Sequence, residues 1–488
     1  MGAARRRAAG HAPADGARPG RADPGAACLR PRPAAAGPAR NPVPPRPAAL
    51  PDAAGPRTRP AGDQRLSATL AEKILARACG RAAVHPGQIL TARLDLLMMH
   101  DSGGPRRVAS RLEKLGTRVW DADKVVVVSD HFVPAVDLES ADILALTRRW
   151  AQAQGVTHYD MLGICHVVLQ EHGHVQPGMF CVGGDSHSPS GGAFGAFMVG
   201  MGATDITGAL VTGEVWLRVP HTTRVQLDGV LGAGVSAKDV MLMLCGEHGM
   251  GNEGQVFEFG GEAVRALPMH ERLTLCNMAA ELGAETGIVE PDATTLAALA
   301  AAGRPFAGDI AQWRSDADAA YLHVHRYDAA RIAPHVAAPH SPANSRPVGE
   351  HGRVHVDQAY IGACTGAKLA DLRMAAQVLK GRKVARGTRL LIAPASVAMT
   401  AQAAADGTLA TLTAAGAILL PSGCGACAGM GAGMLGGGEV CISTTARNFK
   451  GRMGSADAQV YLGSPYSVAA AAVKGEICDP RELLGEDA

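Results

Sequence analysis

Aromatic residues are scarce in this chain, at 4% of 488 residues, and no run of 18 or more apolar residues occurs. The second absence excludes a helical membrane span. One-signed charge is also missing: 47 Lys and Arg stand against 45 Asp and Glu, a net of +2. That balance argues against a nucleic-acid binder with a basic body. There is no continuous apolar core of a secretory signal, and eleven cysteines without one fit a reducing cytoplasm better than a disulfide framework. What is present is small and apolar: 47% hydrophobic residues and sixty glycines. The chain can therefore bury a sizeable core and bend its backbone tightly, and its length fits about three domains of roughly 150 residues.

Charge is unevenly spread. Residues 1–66 hold 12 Arg, no Lys and 4 Asp, a local net of +8, so the remainder carries 2 − 8 = −6. The same segment holds 13 of the 30 prolines. Such a composition buries too little apolar surface to offset its chain entropy, and it is expected to be a disordered, dispensable extension. Folded sequence is expected from about Leu66. Ser67 to Leu75 reads as an N-capped amphipathic helix, and Val125-Val126-Val127-Val128-Ser129 as a buried, parallel strand. Helices are expected near 138–154 and 162–172, then a strand at 179–184. Further strands are expected at 223–227, 358–361 and 389–393, with a helix near 369–379. Pro334 to Gly349 reads as a linker. Strand and helix alternate, so the fold class is α/β, with sites at strand ends. The expected domains are 67–222, 223–345 and 346–488.

The sharpest chemical signal is a cysteine trio. Cys424-Gly425-Ala426-Cys427 is a C-x-x-C pair, and Cys364 lies sixty residues earlier in Tyr360-Ile361-Gly362-Ala363-Cys364-Thr365-Gly366. Thiolates in glycine-rich turns suit zinc, copper(I) or iron–sulfur centres, and a C-x-x-C alone also fits a redox dithiol. A fourth ligand is hard to find, because Cys441 reads as strand core. Cys79, Cys165, Cys245, Cys276 and Cys478 read as small side chains among apolar neighbours.

Four co-linear segments carry a resemblance. Ile361 to Thr365 and Gly423 to Cys427 resemble the cluster-binding turns of the aconitase / isopropylmalate dehydratase superfamily. Gly184-Asp185-Ser186-His187-Ser188-Pro189 and Ala446-Arg447-Asn448-Phe449-Lys450-Gly451-Arg452 resemble its active-site turns. The resemblance covers about residues 68–485. It implies three α/β domains around a central cluster cleft, and a [4Fe-4S] cluster on Cys364, Cys424 and Cys427 with one iron free of protein thiolate. It further implies a hydro-lyase acting on a di- or tricarboxylate, with 3-isopropylmalate first, a methylated malate next, then homocitrate or citrate.

From the residues, Asp130 directly precedes His131 at the end of an apolar strand, where a carboxylate can hold an imidazole charged as a proton donor. The resemblance implies the pairs His131–Asp130, His166–Asp185 and His187–Glu258, with His131 the acid. It assigns His100, Ser186, Arg447 and Arg452 to substrate binding, and guanidinium groups can grip carboxylates bidentately. Ala363, Gly366, Ala446 and Ser190 depart from the usual pattern and put the substrate in doubt more than the chemistry. No Gly-Ser-Ser-Arg-like segment occurs, so the swivelling fourth domain of the superfamily is expected on a separate small subunit, and this chain is expected to be inactive alone. Two other classes compete with this reading: an RNA-binding regulator that acts on cluster loss, disfavoured by the acidic body, and a zinc-stabilised structural protein.

Overall fold

The computed structural model describes residues 67–485, so the extension expected at 1–66 lies outside the described residues. The first helix is Leu70–Ala78, one turn later than its sequence signal begins, with Thr69 and Glu72 forming a reciprocal capping box. Leu70, Ile74 and Leu75 are all buried beneath it.

Three largely parallel sheets organise the rest. The first has the spatial order Thr157–Asp160, Val125–Ser129, Leu96–His100, Phe180–Gly183, Phe197–Gly200, every pair parallel. Val125–Ser129 and Leu96–His100 are buried at all five positions, as continuous apolar runs covered on both faces must be. From Leu96–His100 the chain first builds outward on one side and then, from Phe180–Gly183, on the other. The order reverses between these two strands, and loops leaving their carboxyl ends part there and open a crevice. His100 ends one strand and the Gly184 to Pro189 turn follows the other.

The second sheet, also parallel, runs Thr286–Val289, Gln255–Gly260, His221–Asp228, Val324–Asp328. The third has seven strands in the order Ser345–Pro347, His335–Ala337, Gln459–Leu462, Val440–Ser443, Gln358–Ile361, Arg389–Ile392, Ile418–Leu419. The last five are mutually parallel, and the first two are antiparallel additions. The stretch expected as a linker at 334–349 thus contributes two strands: its Pro and Ser residues sit at the sheet edge, where missing donors are tolerated. Here too the order reverses, between Gln358–Ile361 and Val440–Ser443. Cys364 follows the first of these strands and Arg447 the second. Cys441 is strand core and fully buried, as its sequence suggested.

The remaining expectations on local structure hold closely. Helices occupy Leu138–Gln154, Cys165–Glu171 and Leu369–Leu379, the last with Lys368 and Asp371 at its start. The ten cysteines among the described residues are all free thiols, with Cys165, Cys245 and Cys276 buried. Among those residues no helix is long and apolar enough to cross a membrane.

Candidate active site

The turn after Val125–Ser129 is built on a carboxylate. Asp101, fully buried, accepts the backbone N–H groups of Asp130, His131 and Phe132 at 3.3, 3.0 and 2.8 Å. This fixes the backbone from which the neighbouring pair projects, with His131 Nδ1 2.7 Å from Asp130 Oδ1. The other Asp130 oxygen accepts the Cys165 N–H at 2.7 Å. Burial opposes charge on both partners, but the pairing overrides it. Asp130 is held at about 2 and His131 is raised to about 9. The imidazole is therefore a cation at neutral pH. His100 stacks on it, ring centroids 4.0 Å apart, and burial together with the His131 charge lowers His100 to about 4. Two adjacent rings thus differ in protonation, one charged and one neutral.

Asp185 collects a second group. Its Oδ1 lies 2.7 Å from His166 Nε2 and accepts the His187 N–H at 2.8 Å, and its Oδ2 lies 3.6 Å from His100. Against the cost of burial, His166 and His187 hold its pKa well below the usual range. Two expected pairs, His131–Asp130 and His166–Asp185, are therefore formed.

The third is not. His187 Nε2 lies 3.2 Å from Glu281 Oε1, and Glu281 also accepts Arg447 Nε at 2.7 Å. Burial alone would lower His187, but Glu281 raises it to about 9. Glu258 instead sits within its strand directly opposite Arg224 in the parallel ladder and bonds Arg224, Ser315 and Tyr321. A carboxylate already held by a cross-strand guanidinium is not free to orient an imidazole in another sheet's crevice. The sequence signal for Glu281 was a single acid inside the apolar run Met278-Ala279-Ala280-Glu281-Leu282, just after the helix Met269–Asn277. Asn277, also missed, donates to Cys364 Sγ at 3.2 Å and to Ser190 Oγ at 2.7 Å.

The cysteine turns meet this array directly. Cys424 N–H donates to the Asp130 carbonyl at 2.8 Å. Cys427 and Cys424 act on each other as neighbouring thiols, which holds Cys427 below the usual thiol range and Cys424 well above it. Cys427 also feels the charges of Arg452, His187 and Arg447. Cys364 is buried and pushed up to about 12, by burial first and the Cys427 charge second. Backbone form explains the small residues around them. Gly425 has φ +50, and Ala363, just before Cys364, has φ +68, the left-handed region a non-glycine rarely enters. A Cβ at Gly366 would stand 2.1 Å from the Thr444 Cβ, so the departure at 366 follows from the threonine packed on it.

The two arginines differ. Arg447 is committed to Glu281 and, through Nη1, to Ser186 Oγ at 2.9 Å. Arg452 keeps a buried Nε with no hydrogen-bond partner among the described residues. Two fully buried ammonium groups lie behind the thiols: Lys238, on Thr365 Oγ1 and the carbonyls of Thr444 and Thr445, and Lys368, on the Cys364 carbonyl and Asp371.

Charged imidazoles that can give up protons, a guanidinium donor and three free thiols meet at two strand-order reversals, an arrangement suited to acid–base chemistry beside a thiolate-bound centre. Residues 72–475 match the model of the aconitase family (aconitate hydratase), so the class is that of hydro-lyases. The chain belongs to the aconitase family, which implies an iron–sulfur cluster. It is 45% identical to 3-isopropylmalate dehydratase large subunit 1 of Methanopyrus kandleri over 424 residues, 85% of this chain and 99% of that protein. It is 42% identical to a probable methanogen homoaconitase large subunit of Methanothermobacter thermautotrophicus over 426 residues, 85% of this chain and 98% of that one. The solved holo form of aconitase X from Thermococcus kodakaraensis superposes with a TM-score of 0.44 at 13% identity, covering 73% of this chain and 84% of that one.

Proposed function

We propose that this chain is the catalytic large subunit of a dehydratase that removes and re-adds water on a malate-type hydroxy acid, with 3-isopropylmalate, an intermediate on the way to leucine, as its first substrate. The observation that carries the reading is the direct bond from Cys424 N–H to the Asp130 carbonyl, which ties a thiol turn of one sheet to the charged His131–Asp130 pair of another.

The three thiols suit a [4Fe-4S] cluster by the chemistry of the donor set: an N–H from Asn277 reaches Cys364 Sγ, and the buried hydroxyl of Tyr360 near the other two has no partner among the described residues. When bound by Cys364, Cys424 and Cys427, such a group supplies a Lewis-acidic iron that makes hydroxide a better leaving group. The protein's own part is proton and charge management. His131, cationic through Asp130, is the donor to the departing oxygen. His166 and His187 are oriented by Asp185 and Glu281. The free Nε of Arg452 is a receiver for a substrate carboxylate, while Arg447, braced by Glu281, holds Ser186 at the rim. His100, neutral and stacked on His131, accepts the Gly103 N–H at Nδ1 and donates from Nε2 to the Gly184 carbonyl, so it is a fixed ring beside His131 rather than a second acid.

The α-proton must go to a base, and the reading assigns it to a small subunit. The relatives matched over nearly their full length carry the description large subunit, which supports that assignment. The test is anaerobic reconstitution of the chain with iron and sulfide, alone and with a small subunit, on a panel of 3-isopropylmalate, 2,3-dimethylmalate, homocitrate and citrate. Turnover of 3-isopropylmalate by the pair, and none by the chain alone, is expected. Full cluster content with no turnover of any of the four acids overturns the proposal.

A further inference from the structure

The floor beneath the Cys424–Cys427 turn contains a polar atom that nothing among the described residues satisfies. Tyr360, on the strand Gln358–Ile361, is fully buried, and its Oη has no hydrogen-bond partner among the described residues. The ring lies across Gly362. A Cβ there would stand 2.2 Å from Cε1 and 2.6 Å from Oη, so glycine is what admits the ring. At its far end Oη lies 3.8 Å from where a Gly425 Cβ would be, between the two cysteines. Ala426, Leu435, Cys441 and Met453 share the same buried cluster and offer the hydroxyl no side-chain acceptor apart from sulfur. The thiol of Cys441 is turned to the Ile442 carbonyl, at 3.5 Å.

Buried polar groups are paired almost without exception, and an orphan points to a partner that is not among the protein's other polar atoms. A phenol keeps its proton at neutral pH, so this hydroxyl is a donor; burial first, and then the neighbouring Cys427 and Cys424, push it further in the same direction.

We propose that Tyr360 donates a hydrogen bond to a thiolate sulfur of the Cys424–Cys427 pair when the pair holds a cluster, and so acts as a positioning residue that tunes that cluster. The proposal rests on the cluster reading given above. A hydrogen bond to sulfur draws electron density from the cluster and favours its reduced, more negative state, which raises the reduction potential. A tyrosine in this place would therefore set the redox poise of the site, and with it the ease of oxidative loss.

The test compares wild type with Tyr360→Phe, which removes one oxygen and keeps the ring packed. Both are reconstituted anaerobically and assayed for iron and acid-labile sulfide, for midpoint potential by mediated electron paramagnetic resonance titration, and for iron–sulfur stretching frequencies in H2O and D2O. Expected are equal iron and sulfide, a lower potential in Tyr360→Phe, and a deuterium shift of the stretching bands in wild type that Tyr360→Phe diminishes. The cluster-free variant should melt no lower than cluster-free wild type, since an unpaired hydroxyl is what it loses. Incorporating 3-fluorotyrosine at 360, a more acidic donor, should move the potential the opposite way. Equal potentials and equal deuterium shifts in wild type and Tyr360→Phe would overturn the inference and leave the hydroxyl paired with water alone. Wild type that takes up no iron and sulfide would overturn the cluster reading itself.

Discussion

Replacing Asp130 with Asn keeps the shape of the side chain and removes the charge that makes His131 an acid. In the native protein that charge is set against burial and lifts His131 from 6.5 to about 9, a difference of roughly 3 kcal/mol between the two protonation states. At about pH 7.5 an imidazole with that pKa is roughly 97% protonated. With the carboxylate gone, burial is opposed only by the more distant charges of Asp185 and Asp101, and the value falls back toward 6.5. At 6.5 about 9% remains protonated, and at about 4, the value burial imposes on His100, only about 0.03%. The expected rate loss at that pH is thus about 10-fold for a value of 6.5 and ~3,000-fold at the limit of about 4. The sign also fixes a pH profile: the alkaline limb of kcat, near 9 in the native enzyme, moves toward 6.5 in Asp130→Asn, so the variant recovers activity on acidification where the native enzyme is flat. The assay is the pH dependence of kcat for the chain paired with a small subunit, at matched iron content, beside a direct titration of the His131 ring by nitrogen-15 NMR. An alkaline limb still near 9 in Asp130→Asn would refute the assignment of His131 as the acid held by Asp130.

Other outcomes follow from the same geometry. Glu281→Gln strips the partner from His187 and Arg447 at once and is expected to destabilise the fold by about 3–5 kcal/mol, the cost of breaking a buried ion pair, and to lower kcat/KM; chemical denaturation and steady-state kinetics measure the two. Glu258→Gln, which leaves Arg224 without its carboxylate, is expected to lower the melting temperature with no change in the pH profile, and a shifted profile would return Glu258 to the site. The raised His131 also stabilises the fold: its contribution is complete below about pH 6.5 and is lost between there and about pH 9, so chemical denaturation of the cluster-free chain should show stability falling across that window in wild type and less so in His131→Gln. Leu97→Ala, within the fully buried Leu96–His100 strand, is expected to cost about 2–5 kcal/mol through the cavity it leaves, measured by urea unfolding.

Much of the site was legible in the order of residues because its chemistry lies in contiguous turns at strand ends. A run of four valines closing on Ser129, Asp130 and His131 announces both a buried strand and the place where its last side chains emerge, and the structure keeps that pair at 2.7 Å. Gly184 to Pro189 and the two cysteine turns are read in the same way: local backbone needs and local chemistry coincide. The apparent linker at 334–349 misled because proline and serine mark both loops and edge strands, and a three-residue edge strand has no periodicity to find.

What the residue order determined, then, is the set of strand-end turns and the thiol, imidazole and guanidinium groups they carry, since each is specified within a few residues. What only the tertiary structure decided is which groups meet. Glu281 rather than Glu258 serves His187, because a ladder position opposite Arg224 neutralises one acid while helix packing aims the other into the crevice. Among the described residues Arg452 keeps a buried Nε unpaired while Arg447 is held by Glu281, and the Tyr360 hydroxyl lies unpaired under the cysteine turn. Such pairings join residues far apart in sequence, and short-range pattern holds no information about them until the sheets are stacked.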